Sequence, residues 1–264
     1  MISVTSAQLS AWLAAFIWPF FRVIALVSSA PILGNPGVSP QVKIGLSFAI
    51  TLVLAPILDP MPAVEPGSAI GLLILVQQIV IGVAMGFAMR IIFTAVEMAG
   101  QIIAMQMGLG FAVFFDPQNA AQTPVVGQFL GLIGILVFLA LNGHLMIIEV
   151  LAQSFQALPV MAQPFSSAGW RAVAGWGGEV FLAGLLLSMP IMAALLMTNL
   201  ALGIMTRAAP QLNVFSVGFP ITLAAGFVVL AVALPFFVPL FERLIQDGVQ
   251  MALQIVRLAK PVIP

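Results

Sequence analysis

Within long apolar runs the chain carries a few ionisable side chains: Arg22, Arg90, Glu97 and Glu149, with the single histidine, His144, and Arg207 close to the run ends. A charge held at bilayer depth is costly. Such a group either moves ions or protons, or pairs with a carboxylate or carbonyl and fixes helix packing. Arg90 and Glu97 stand seven positions apart, two helical turns, and share a face if the helix continues. His144 and Glu149 are five apart, about 140° around a helix axis, and form no close pair. One histidine and zero cysteines cannot supply the three or four ligands of a metal site. The sequence holds neither a nucleophile elbow nor a Gly-rich phosphate loop followed by lysine. The residues therefore give no support for an enzyme, and no cofactor is expected.

Two segments have a more specific character. Leu202 to Pro220, LGIMTRAAPQLNVFSVGFP, is a polar, proline-broken joint between apolar runs. Pro210 ends the helix on which Arg207 sits. Arg207, Gln211 and Asn213 need protein or water partners, because hydrocarbon offers none. The second segment, Gly100 to Pro117, GQIIAMQMGLGFAVFFDP, starts as a Met-rich helix with Met105 and Met107 and loosens at Gly108 and Gly110. It then presents Phe111, Phe114 and Phe115 before stopping at Asp116 and Pro117. Glycine permits unusual backbone angles and methionine deforms easily. Two readings follow: a flexible loop whose aromatic tip blocks a pore and can be displaced, or an ordinary buried hairpin.

The elements that carry these residues are set by composition. Of 264 residues 62% are hydrophobic and 6% charged, and mean hydropathy is +1.20, against roughly 25% charged residues in a soluble domain. This is an integral membrane protein. Apolar runs long enough for a bilayer, which needs about 20 residues, cover Leu9 to Leu33, Val42 to Leu58, Ala69 to Phe93, Val125 to Leu151, Val180 to Met205 and Val214 to Leu240. The expected fold is all-α, with about six long helices arranged as hairpins in one membrane domain over residues 1–264. Asp59 to Ser68, with three prolines and two acids, forms a turn outside the hydrocarbon. Ala152 to Gly178 is a mixed segment that divides a longer front from a shorter rear. The start lacks the pattern of a removed signal peptide. A net charge of zero leaves no basic surface for nucleic acid. Gly82 and Gly86, and Gly127 and Gly131, have the spacing that lets membrane helices approach closely.

The bias of Lys and Arg between loops does not orient six simple crossings. With the N-terminus outside, Lys43, Arg90 and Arg207 lie near inner ends, while Arg171, Arg243, Arg257 and Lys260 fall outside, four against three. Hairpins that do not all cross the bilayer individually resolve the conflict.

The pattern Arg22, Pro31, Lys43, the stretch EMAGQIIAMQMGLGFAVFFDP from Glu97, NGHLMIIEVLAQSFQALP from Asn142 and the LGIMTRAAPQLNVFSVGFP joint together resemble the FliR/SpaR/YscT/HrcT family of type III secretion export apparatuses. The resemblance covers most of the chain, and the last motif has a flagellar form. It implies one copy in a hetero-oligomeric export gate with FliP-like and FliQ-like subunits, beside FlhB-like and FlhA-like subunits, in the bacterial inner membrane at the flagellar basal body. The front, about 1–170, would be FliP-like and the rear, about 171–264, FliQ-like. The gate would pass unfolded flagellar proteins. Gly108, Gly110, Phe111, Phe114, Phe115 and Asp116 would form the pore plug, and Met105 and Met107 would line or gasket the pore. Arg207, Gln211 and Asn213 would contact neighbouring subunits or membrane lipid. The rival readings from the residues alone are a secondary transporter or ion channel using Arg22, Arg90, Glu97 and Glu149, and a purely structural membrane scaffold.

Overall fold

In the computed structural model the described residues are 6–62, 64–111, 125–163, 165–209 and 217–260, with backbone alone for 6–11 and Phe111. Every regular element among them is helical, as composition requires of a chain that must satisfy its backbone in hydrocarbon. The helices are α1 (Ser6–Ser29), α2 (Pro40–Leu54), α3 (Ala69–Gln106), α4 (Val125–Ala140), α5 (Gly143–Ala157), α6 (Ser167–Trp176), α7 (Glu179–Ala208) and α8 (Phe219–Leu258), with short 3-10 turns at Ala55–Ile57 and Leu109–Phe111. Among the described residues five helical stretches are long and apolar enough to cross a membrane, and α4 with α5, bent by 66° at their break, makes a sixth if the pair is taken as one span.

Local chemistry sets the ends. Ser39 precedes Pro40 at the first turn of α2, where proline's fixed φ helps and its missing N–H costs nothing. Ser166 caps α6 by accepting from the Ala168 N–H at 3.3 Å. Asn142, at φ 56° in the left-handed region, separates α4 from α5, so the apolar run Val125 to Leu151 is two helices. Ala209, before Pro210, has left the helical region at φ −132°, as the residue before proline tends to. Prolines inside α1, α7 and α8 (Pro19, Pro190, Pro235, Pro239) leave these helices unbroken.

The chain packs as two compact units, each assembled from pieces distant in sequence. Unit 1 comprises Met1–Ile91, Asn142–Gly177 and Ile245–Pro264. Its interior holds Trp18, Ile74, Met85, Met89, Leu151 and Leu158. The Trp176 indole N–H donates to the Ala88 carbonyl at 2.9 Å, and Gln77 donates to the Gln163 carbonyl at 2.8 Å. Within this unit Gly82 and Gly86 face α1. A Cβ on Gly82 would lie 2.9 Å from the Leu26 nitrogen, and one on Gly86 equally close to that of Ala30.

Unit 2 comprises Ile92–Leu141 and Gly178–Leu244. The Phe93 ring meets Phe138 and Phe241 edge-on, each with centroids 5.6 Å apart, the geometry that aromatic quadrupoles favour. Here α3 and α4 touch backbone to backbone where Gly100 faces Gly127. On α7, Gly184 lies against the Ala95 carbonyl and the Met98 side chain.

Candidate functional site

Arg22 on α1 is completely buried in unit 1. Its Nε donates to Gln78 Oε1 at 2.8 Å, Nη1 to Ser154 Oγ at 3.2 Å and Nη2 to the Leu158 carbonyl at 3.0 Å. The Phe155 ring faces the guanidinium carbon at 4.1 Å, a cation–π contact that strengthens when water is excluded. The planar fork thus ties α1 to α3 and to the end of α5. Its partners among the described residues are neutral and supply no proton acceptor for a relay. The arrangement is suited to holding helices in place. Sequence reading singled out Arg22 but not this set, although Gln77 and Gln78, two amides inside an apolar run, were the available signal.

The residues leading into the Phe-rich segment lie in unit 2. Met107 is fully buried, and its carbonyl accepts from the Thr222 hydroxyl at 3.4 Å; that hydroxyl also donates to the Phe219 carbonyl at 2.9 Å. The Met107 side chain lies against Gly226, where an added Cβ would stand 2.8 Å from Met107 Cε. The next residue, Gly108, has φ 87°, a conformation that glycine adopts without steric cost. So α3 ends on a docked methionine and a glycine turn. A Cβ on Gly110 would meet nothing within 4 Å. Met105 is 65% exposed, so the two methionines have different surroundings. Phe114, Phe115 and Asp116 lie outside the described residues, as does the side chain of Phe111. Thr222 and Gly226 carried no local signal, being more than a hundred positions from Met107.

At the joint, Arg207 is exposed in the last turn of α7, where a cation complements the helix dipole. Gln211 and Asn213 lie outside the described residues. The helix carrying Arg90 and Glu97 runs unbroken to Gln106, and both side chains are exposed. Glu149 and His144 are exposed on α5; Glu149 accepts from the Gln153 amide at 3.0 Å. Among the described residues no group of three or more His, Cys, Asp or Glu side chains is arranged to hold a metal ion.

Known proteins resemble this chain along nearly all its length. The family described as bacterial export proteins, family 1, matches residues 13–248. The flagellar biosynthetic protein FliR of Pectobacterium carotovorum subsp. carotovorum is 44% identical over 247 residues, 94% of each chain. That of Escherichia coli K12 is 43% identical over the same shares. The Bacillus subtilis protein of this name is 32% identical, over 83% of this chain and 86% of its own. A family match this long, joined to relatives that align nearly end to end, fixes the membership: the chain belongs to the bacterial export proteins, family 1.

Proposed function

We propose that the protein is a membrane subunit of the flagellar type III export gate in the bacterial inner membrane, at the flagellar basal body. The observation that carries this reading is the likeness to flagellar biosynthetic protein FliR at 44% identity over 94% of both chains. One copy joins FliP-like and FliQ-like subunits beside FlhB-like and FlhA-like ones, its front, about 1–170, resembling FliP and its rear, about 171–264, resembling FliQ. The assembly passes unfolded flagellar proteins. The protein is not an enzyme in this reading; energy comes from a separate ATPase and the proton gradient.

In the same reading the segment Gly108 to Asp116 plugs the closed pore, with Met105 and Met107 at its base. Sealing needs apolar bulk, and opening needs a segment with few fixed contacts. The buried Met107 and the glycine turn after it supply a firm root for a segment that changes position. Arg207, Gln211 and Asn213 dock on neighbours, so Arg207→Ala weakens assembly before it affects gating.

Native mass spectrometry of the complex purified from cells that hold all the export subunits tests the proposal. One copy with several FliP-like and FliQ-like chains is the expected result. A small homo-oligomer, or ion transport by the purified chain alone, would overturn it.

A further inference from the structure

Two cavities in unit 1 share a wall. The larger, about 500 Å³, is lined by Gln153, Gln156 and Ala157 of α5 and by Leu253, Arg257 and Lys260 at the end of α8. The smaller, about 140 Å³, also has Gln156 in its lining, together with Leu54, Met61, Phe155, Val160 and Asp59. Among the described residues the side chains of Arg257 and Lys260 enter no hydrogen bond or ion pair, their one mutual bond being from the Lys260 backbone N–H to the Arg257 carbonyl at 3.3 Å, and both residues are exposed. Of the lining residues, Gln153 is tied to an acid: its amide donates to the Glu149 carboxylate at 3.0 Å.

We propose that this double groove docks a segment of a partner protein that carries an apolar side chain next to a carboxylate. The smaller cavity compares with the ~150 Å³ apolar cavities that accept a benzene-sized group, so it fits an aromatic or branched aliphatic anchor. The Arg257 and Lys260 cations, with the Gln156 amide on the shared wall, fit the carboxylate, which Arg257 can grip with two parallel N–H donors.

The mixed sign of the groove favours a peptide over a phosphate. Asp59 lines the smaller cavity and Arg257 with Lys260 the larger, which repels an anion from one of the two but suits a chain with donors and acceptors along its length. Position on α8 points the same way. Arg257 lies seventeen residues past Leu240, where the apolar run that began at Val214 ends, and a bilayer uses only about 20 apolar residues. The inference does not depend on the export reading.

The test places a benzophenone amino acid at Gln156 of the full chain, in cells that hold its natural neighbours, with the same probe at exposed Gln246 as reference. Irradiation is expected to give an adduct with one protein from Gln156 and not from Gln246. Mass spectrometry should map it to a segment with Asp or Glu beside a large apolar residue. Reversing both charges, Arg257→Glu with Lys260→Glu, should cut the adduct about tenfold per chain recovered, and Lys in place of the mapped acid should restore it. If the double reversal lowers the amount of chain, the pair Arg257→Gln and Lys260→Gln gives the same comparison with less disturbance. A lipid adduct, an adduct confined to this chain, no adduct, or a protein adduct indifferent to both charge changes overturns the proposal.

Discussion

Arg22 donates to three acceptors drawn from stretches 56 to 136 positions away, and this predicts how substitutions act. In Arg22→Ala the Gln78 amide oxygen and the Leu158 carbonyl lose their donor in a buried site. An unsatisfied buried group costs about 1–3 kcal/mol, so the total loss is about 3 kcal/mol or more. The detergent-solubilised variant should melt well below the parent and accumulate less in membranes. Arg22→Lys keeps the charge but replaces the fork by a compact ammonium and should fall between the two. A melting temperature for Arg22→Ala equal to the parent's would remove the clamp role. The segment proposed as the plug carries the opposite prediction, of function without stability. Under the plug proposal each ring that seals the pore contributes on the order of 2 kcal/mol, so replacing Phe111, Phe114 and Phe115 together with Ala should leave the complex assembled but leaking small ions. Unchanged leakage and secretion in an assembled triple variant would end the plug reading.

Close helix contacts depend on particular glycines, and the structure separates those that are needed from those that are not. A side chain at Gly82 runs into the Arg22 carbonyl and Ala25 on α1, whereas Gly45 on α2 and Gly203 on α7 have nothing within 4 Å of an added Cβ. Overpacking a tight contact costs about 1–3 kcal/mol. Removing glycine from an open helix position gains up to about 1 kcal/mol. Gly82→Leu should therefore lower the melting temperature of the isolated chain, and Gly45→Ala should raise it or leave it unchanged; the reverse order would refute the packing described for α1 and α3. These contacts were legible in the sequence because four-residue glycine spacing is a local pattern. The six apolar runs were legible for the same reason, being sums over neighbouring residues. Helix ends were less so. The run ending at Phe93 continues as helix to Gln106, because Arg90 and Glu97 interrupt hydropathy without interrupting backbone hydrogen bonds. Asn142 hid a break inside an apolar run, and α6 lay unread in the mixed segment before Gly178. Least legible were the partners of Arg22 and Met107, since tertiary contacts across a hundred residues leave no periodic trace.

Across the molecule, burial is uneven in a way that composition does not reveal. In the most apolar window of Pro40–Ile57 only 17% is buried, and in that of Phe219–Leu258 22%, against 50% in Ala69–Gln106. Lipid or partner helices must cover the remainder, since contiguous apolar surface of this extent is not stable in water. Length adds a second constraint: α3 has 38 residues and α8 has 40, about twice what hydrocarbon requires. Beyond Leu240, α8 carries Glu242, Arg243, Asp247 and Arg257, charges too costly to leave in lipid. One half of α8 is thus expected in hydrocarbon and the other outside it. The chain has no cysteine, so introduced ones are clean probes. In membranes from cells lacking partner subunits, Val228→Cys should resist a membrane-impermeant maleimide, while Gln246→Cys and Gln250→Cys should react from a single side. Equal protection at all three positions would place the whole of α8 in hydrocarbon and refute this division. Reaction at Val228 as fast as at Gln246 would refute it from the other direction, by showing that the apolar half is not in lipid.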